Sequence, residues 1–102
     1  MVARVASFEG IEVQEAERTM GEADARIRPI VEGLAGYRGR LDLIADDGKM
    51  MSVTLFDSEE SAQAAEPTFD EELPRRLGDL FASWSGRRVS VERYNVLAES
   101  RA

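Results

Sequence analysis

The stretch Gly36–Glu60, GYRGRLDLIADDGKMMSVTLFDSEE, decides the fold of this chain. Its first run, Tyr37 to Ile44, alternates large residues with small or charged ones, and its second run, Met50 to Phe56, is rich in β-branched and apolar residues. Both patterns are typical of half-buried strands. Between them lies Asp46-Asp47-Gly48-Lys49, where Asp-Gly supplies the positive φ angles that a hairpin turn requires. The stretch therefore predicts two antiparallel strands joined by a tight turn.

A helical region is predicted to follow this hairpin. Asp57, with Glu60 three residues later, is an acidic variant of the capping box, and it predicts a helix start. The apolar residues after it keep a helical spacing, but two prolines interrupt them. We expect a short helix to about residue 65, a break at Glu66-Pro67, and then a longer helix to about residue 83. A second capping box begins at Thr68, and Pro74 predicts a further kink.

The segments on either side complete the pattern. Residues 2–8 alternate as a first strand, with Arg4 on the same side as Val2, Ala6 and Phe8. A long amphipathic helix is predicted next, and Pro29 is expected to kink it or to end its regular part. Its apolar stripe consists of Val13, Ala16, Met20, Ala23, Ile27, Ile30 and Leu34. Residues 88–97 predict the last strand, which places on one side Val89, Val91, Arg93, Asn95 and Leu97.

The predicted order of elements is βαββαβ. Split connectivity of this kind predicts an α+β, ferredoxin-like fold, in which a four-stranded antiparallel sheet carries both helices on one face. The length fits one domain, which we expect over residues 1–97, with 98–102 as a flexible C-terminal tail. The bare face would expose apolar side chains such as Phe8, Leu43 or Phe56, depending on the strand register. We therefore expect a homodimer in which two sheets pair through their open faces.

The composition limits the classes of function. A net charge of −7 argues against a general binder of phosphate backbones, so no nucleic acid partner is expected. The chain has no cysteine and no histidine, which removes thiolate chemistry and imidazole ligands, so no metal site is expected. No apolar run approaches the ~20 residues of a membrane span, so no membrane partner is expected, and a cytoplasmic protein is the default.

Three motifs carry a family resemblance. The first is Pro29 near the end of a helix, followed by Gly36-Tyr37-Arg38-Gly39 at a strand entry. The second is Phe56-Asp57-Ser58-Glu59-Glu60, and the third is the aromatic-bearing final strand at Arg93-Tyr94-Asn95-Val96. With these motifs the chain resembles, over nearly its whole length, the antibiotic-biosynthesis-monooxygenase-like dimeric α+β barrel proteins. The resemblance implies a dimeric α/β barrel with a pocket between each sheet and its helices.

Characterised members of this family oxidise electron-rich aromatic polyketide-type substrates with oxygen and without metal or flavin, and others degrade haem. The resemblance therefore implies a monooxygenase that needs no cofactor and acts on a small aromatic or quinol-type molecule. Haem degradation ranks lowest, because those members use an axial His and a first-strand Asn, where this chain offers Arg4, Ser7 and Glu9. The alternative is a non-catalytic dimeric domain that binds a small apolar or aromatic ligand or has an accessory role.

No residue is assigned as catalytic, and the candidates for substrate binding are Arg4, Tyr37, Trp84, Arg93 and Asn95. Trp84 ends the second helical stripe, where an indole fits a core or a pocket wall. Arg4 and Arg93 lie on the first and last strands and would form a cationic spot if those strands are neighbours. A structural ion pair with Glu92 or Asp42 is the alternative for these arginines.

Overall fold

The computed structural model describes all residues from 1 to 102 and confirms the predicted order of strands and helices. The strands are β1 (Val2–Glu9), β2 (Tyr37–Ile44), β3 (Met50–Phe56) and β4 (Arg87–Asn95). The helices are α1 (Val13–Glu32), α2 (Glu59–Ala64) and α3 (Leu73–Ser83), and a π-helical segment, Thr68–Glu72, lies between α2 and α3. Residues 96–102 form neither helix nor strand, and their flexibility stays a prediction.

The four strands form one antiparallel sheet in the order β2-β3-β1-β4. The helices cover one face of it, and this confirms the ferredoxin-like α+β fold. The main core lies between that face and the stripes of α1 and α3, where the buried residues include Ala23, Ile27, Val31, Leu73, Leu77 and Leu80. Within the single chain the sheet is open at both edges and does not close into a barrel.

The central hairpin forms over the predicted residues, and its turn differs in one detail. Gly48 alone has a positive φ angle, of 88°, whereas Asp47 does not. The backbone N–H of Ala45 donates to the carbonyl of Lys49 at 2.8 Å, and that of Gly48 donates to the carbonyl of Ala45 at 3.0 Å. The loop is therefore longer than a two-residue turn, and a longer loop needs only one residue in the left-handed region.

The start of α2 corrects the predicted cap. Ser58, not Asp57, is the capping residue, because its hydroxyl accepts a hydrogen bond from the backbone N–H of Ser61 at 3.1 Å. The carboxylate of Asp57 instead accepts from the hydroxyl of Ser61 at 2.9 Å. Ser58 directly precedes the first helical residue, so its hydroxyl reaches the backbone N–H of Ser61 in the first turn. The predicted cap at Asp57 is therefore off by one residue.

The three prolines also behave differently from the prediction. Helix α1 runs through Pro29 to Glu32, since Ile27 and Val31 on either side of the proline are buried and hold the helix against the sheet. Pro74 lies at the start of α3, directly after the π-helical segment, and the helix continues through it to Ser83. The interruption lies at Ala65, one residue before the predicted break at Glu66-Pro67, and Glu66 and Pro67 are helical and run directly into the π-helical segment. The capping box at Thr68 does not form, because the backbone before Thr68 is already helical.

The open face of the sheet carries exposed apolar side chains. Leu41 is 59% exposed and Leu43 is 49% exposed, and Met51 opposite Leu43 is exposed as well. Of the three residues that the sequence offered for this face, only Leu43 lies there; Phe8 and Phe56 pack on the helix side, each in contact with a core cluster. The open face is thus apolar as expected, but Leu41, Leu43 and Met51 form it instead of Phe8 and Phe56.

A bulge in β4 changes which side chains share a face. Ser7 pairs with Ser90, whereas its neighbour Phe8 pairs with Arg88, so Val89 is an extra residue. Strict alternation places Arg88 on the same side as Ser90, but the bulge turns Arg88 to the helix side of the sheet. This corrects the predicted alternation at the start of the last strand.

Candidate functional site

A cavity of about 310 Å³ lies between the sheet and the helices. This volume is at the lower end of the range typical of small-molecule sites. The sheet forms its floor, α1, the π-helical segment and α3 form its walls, and the residues after α3 close one end. Apolar groups dominate the lining, among them Phe8, Ile11, Met20, Ile27, Met50, Phe69, Leu73, Phe81 and Trp84.

The strand register brings a few polar side chains to this floor. Thr54 on β3 pairs with Arg40 on β2 and with Arg4 on β1, so the three residues form one row across the sheet. The next row along the strands consists of Asp42, Ser52 and Ala6. Residues paired across antiparallel strands point to the same side, which here is the side of the helices. The Thr54 hydroxyl is fully buried between the two arginines and has no hydrogen-bond partner.

Arg4 is a buried cation at one end of this floor. Only 2% of the residue is exposed, and its Nε donates to Glu66 Oε1 at 3.1 Å. Its guanidinium carbon lies 4.0 Å from the centroid of the Phe69 ring, within the range of a cation–π contact. Glu66 lies in the helical turn that leads into the π-helical segment, so the pair ties this turn to the sheet. A buried guanidinium with a carboxylate partner is neutralised locally, and it does not present a full charge to the cavity.

Arg40, Asp42 and Ser52 form the other polar group of the floor. Arg40 Nε donates to Asp42 Oδ2 at 2.9 Å, and the Ser52 hydroxyl donates to Asp42 Oδ1 at 2.7 Å. Arg40 also donates to Asp24 on α1 at 2.6 Å. Hydrogen bonds from Arg28 and then from Arg40 hold the pKa of Asp24 below its ordinary value. The group therefore links the floor of the cavity to the exposed side of α1.

Trp84 forms part of the wall, but its N–H group is already used. The indole Nε1 donates to the hydroxyl of Thr19 at 2.8 Å, and that hydroxyl donates in turn to the carbonyl of Glu15 at 2.8 Å. The ring of Phe81 lies against the indole, with centroids 5.4 Å apart. Trp84 consequently offers the cavity an apolar ring surface and no donor.

One ion pair crosses the rim of the cavity. Arg88, turned inward by the β4 bulge, donates to Asp70 of the π-helical segment at 2.8 Å. Both residues line the cavity and both are partly exposed, which places the pair between the cavity and solvent. The pair therefore joins the π-helical segment to β4 at the rim, and π-helical turns of this kind are frequent at functional sites.

No protein-family model matches the chain, and no curated protein matches it. Solved structures do resemble it. A "putative antibiotic biosynthesis monooxygenase" from Deinococcus radiodurans has a TM-score of 0.65 at 10% identity, covering 100% of this chain and 98% of that one. The chain shares its fold. This result confirms, at the level of fold, the resemblance to antibiotic biosynthesis monooxygenases that the sequence motifs indicate.

Two further structures resemble the chain over nearly their whole length. A dimeric ferredoxin-like protein from an uncultured marine organism has a TM-score of 0.68 at 14% identity, with 100% of both chains covered. The haem degrader MhuD from Mycobacterium tuberculosis, solved with two haems in its active site, has a TM-score of 0.62 at 19% identity. That match covers 99% of this chain and 100% of MhuD.

The cavity of this antibiotic-biosynthesis-monooxygenase-like fold does not fit haem. Haem iron is held by His, Cys or Tyr, or by Met together with His. The chain has neither His nor Cys, and no Tyr lines the cavity, so the thioethers of Met20 and Met50 lack the His that would accompany them. No group of three or more acidic side chains is arranged to hold a metal ion. None of the helices is both long and apolar enough to cross a membrane.

The structure brings two of the five candidate residues into the cavity lining, Arg4 and Trp84. Arg93 pairs with Arg4 across β1 and β4, as required for a cationic spot, but it lies between Glu59 and Glu66 and does not line the cavity. Glu66 therefore takes the place of Glu92 or Asp42 as the acidic partner of both arginines.

The remaining two candidates lie away from the lining. Tyr37 packs beside the core at the start of β2, where burial raises the pKa of its phenol. Asn95 pairs with Val2 at the end of β4 and is exposed, so its amide needs no buried partner. Neither residue lines the cavity.

The sequence interpretation did not single out five polar residues of the lining, which are Arg40, Asp42, Ser52, Asp70 and Arg88. The hairpin carried a signal for the first three. Arg40 and Asp42 are two apart on β2 and therefore share a face, and the hairpin register sets Ser52 opposite Asp42. Asp70 and Arg88 depend on the π-helical segment and on the bulge, for which the sequence has no local signature.

Proposed function

We propose that the chain binds a small aromatic or quinol-type molecule in its cavity and oxidises it with dioxygen, as a monooxygenase that uses no cofactor. The observation that carries this proposal is the cavity itself, whose aromatic walls stand over a floor with a few convergent polar groups. Sites for small aromatic molecules have this composition. The names of the neighbouring antibiotic biosynthesis monooxygenases support the reaction class.

The proposed reaction balances with the substrate and dioxygen alone. An anthrone-type methylene loses two hydrogens and gains one oxygen atom of dioxygen, and the second oxygen atom leaves as water. The electrons come from the substrate, which is more easily oxidised as its anion. In the cavity, Trp84 and Phe69 would cover the ring and exclude water, and the part of the Arg4 charge that Glu66 does not neutralise would stabilise negative charge that develops on the substrate.

The alternative function is that of a non-catalytic binding or accessory domain, and one observation favours it. Each arginine of the lining, Arg4, Arg40 and Arg88, is already paired with a carboxylate, and the N–H of Trp84 is bound to Thr19. Side chains whose hydrogen bonds are already made within the protein can line a binding cavity, but they have fewer free donors with which to stabilise a reacting group.

Oxygen uptake distinguishes the two functions. The protein is incubated with anthrone or with a naphthoquinol in air, and uptake is followed with an oxygen electrode against a buffer blank. We expect uptake above the blank, and its loss in Trp84→Ala and in Phe69→Leu, with Leu97→Ala as a control far from the cavity. Binding of these molecules by calorimetry without oxygen uptake would establish the alternative instead.

We also propose that the chain forms a homodimer through the open face of its sheet, closing a dimeric α/β barrel. The exposed Leu41 and Leu43 carry this proposal, and the name of the dimeric ferredoxin-like neighbour supports it. Light scattering on a size-exclusion column tests it: a mass near the 11.3 kDa of one chain refutes the dimer. Leu41→Arg is expected to shift the dimer towards that mass. A cytoplasmic location belongs to the same proposal, since a chain without cysteine suits a reducing compartment.

A further inference from the structure

We infer that Asp42 and Ser52 form a subsite that accepts a hydrogen bond from the ligand. The occupant of the cavity is then an aromatic molecule with a hydroxyl group at this end. The inference rests on the proposed function, because it supposes an aromatic occupant. It adds the position and the polarity of the group that fixes the orientation of that occupant.

The hydrogen-bond pattern of Asp42 determines this polarity. Both carboxylate oxygens accept: Oδ1 from the Ser52 hydroxyl at 2.7 Å, and Oδ2 from Arg40 Nε at 2.9 Å. This is the pattern of an ionised carboxylate, which can accept further hydrogen bonds but cannot donate one. The side chain of Asp42 is only 13% exposed, and what remains accessible lies in the cavity lining.

Ser52 adds a second acceptor. A serine hydroxyl has one proton, and in Ser52 that proton is directed to Asp42. Towards the cavity its oxygen can therefore only accept. A ligand atom that contacts this end of the floor meets two acceptors, so a hydroxyl or N–H is favoured there, whereas an ether or carbonyl oxygen would place its lone pairs against theirs.

The position of this pair makes the preference effective. Asp42 and Ser52 lie directly opposite each other on β2 and β3, so paired strands hold them rather than a loop. Arg40 fixes the carboxylate from the adjacent position on its face, and Asp24 fixes Arg40 in turn. Because the paired strands hold both acceptors in place, a ligand with a donor gains a hydrogen bond here and a ligand with only an acceptor gains none.

Two matched probes test this inference, 2-naphthol and 2-methoxynaphthalene, which share a ring and differ in the donor. Calorimetry on the intact protein is expected to show tighter binding of 2-naphthol by about ten- to one-hundredfold, the effect of one hydrogen bond to a charged acceptor. Asp42→Asn and Ser52→Ala are expected to reduce this ratio to within about threefold. Asp46→Asn, in the exposed hairpin turn, is the control and keeps the wild-type ratio. Circular dichroism verifies that each variant is folded.

The outcomes separate this inference from the proposed function. If both probes bind the wild-type protein equally well, the donor-reading subsite is refuted while the aromatic cavity stands. If the preference exists but both variants retain it, another group reads the hydroxyl and the inference is again refuted. If neither probe binds at millimolar concentration, the aromatic occupant is refuted and this inference with it.

Discussion

The hydrogen bond between Trp84 and Thr19 gives a sharp test of what holds the cavity wall in place. Replacing Thr19 by Val keeps the shape of the side chain and removes the only partner of the indole N–H. Both residues are buried, so water cannot take the place of the lost acceptor. The carbonyl of Glu15, to which Thr19 also donates, lies within α1 and keeps the helical bond of that turn.

The expected cost follows from that geometry. An unpaired buried donor destabilises a protein by about 1–3 kcal/mol, and Thr and Val differ little in helix propensity. We expect the free energy of unfolding to fall by roughly 2 kcal/mol, which corresponds to a decrease in Tm of about 8–16 °C for a domain of this size. Thr19→Ser, which keeps the hydroxyl but loses a methyl group, is the matched control and should cost less.

Urea denaturation measures this difference directly. Trp84 is the only tryptophan, so its fluorescence reports the unfolding of the cavity wall itself. Protein concentration is held constant, because the stability of a dimer depends on it. A Thr19→Val variant within about 0.3 kcal/mol of wild type, with an unchanged m-value, would refute the assignment of this hydrogen bond as a structural support.

Three further predictions concern the frame around the site. Gly36→Ala should destabilise the protein by more than about 1 kcal/mol, because Gly36 has a φ angle of 75° and a Cβ there would collide with Asp57 and Ser61. Gly21→Ala, in open space on α1, should stabilise it by about 1 kcal/mol, and thermal melts of the two variants that move in the same direction would contradict this contrast. Glu66→Gln should cost about 3–5 kcal/mol by leaving Arg4 buried with a weakened partner, whereas exposed Glu60→Gln should be neutral; equal urea midpoints would show that Arg4 does not depend on Glu66. The lowered pKa of Asp24 stabilises the fold above the ordinary carboxyl value, and this stabilisation is lost as pH falls through the folded pKa. Asp24→Asn should therefore lose less stability than wild type between about pH 5 and pH 3, and parallel losses would contradict the linkage.

Much of the fold is predictable from local patterns in this chain. The alternation on either side of Gly48 predicts β2 and β3 with their observed bounds, since both strands are half buried. Details that depend on competition between neighbouring groups are not predictable in this way. Ser58 and Asp57 are both good capping residues, and only the geometry of the turn selects Ser58. Pro29 is a helix breaker in isolation, but the packing of α1 outweighs it.

The site is less predictable, because it is made by pairing between distant segments. Trp84 follows from the phase of a helical stripe, and Arg4 from alternation on β1. The meeting of Arg4, Thr54 and Arg40 requires the strand order β2-β3-β1, which no single stretch encodes. Arg93 is predicted to join Arg4 at the site, and it does lie opposite Arg4 in the sheet. Its ion pairs with Glu59 and Glu66, which keep it out of the cavity, cannot be predicted from β4 alone.

The extra residue in β4 has a consequence for how this chain is compared with others. On the two sides of Val89 the relation between residue number and sheet face is reversed, so counting backwards from Arg93 in steps of two leads to Val89 and misses Arg88. An alignment of β4 without a gap at this position would assign the rim cation to the wrong column. A chain without this one residue would pair Arg88 with Phe8 by regular alternation and keep the rim arginine on the helix side, whereas a chain that kept Val89 but lost the bulge would turn that arginine to the open face, away from Asp70. Insertions and deletions at Val89 therefore deserve as much weight as residue identity when functions are transferred to this fold.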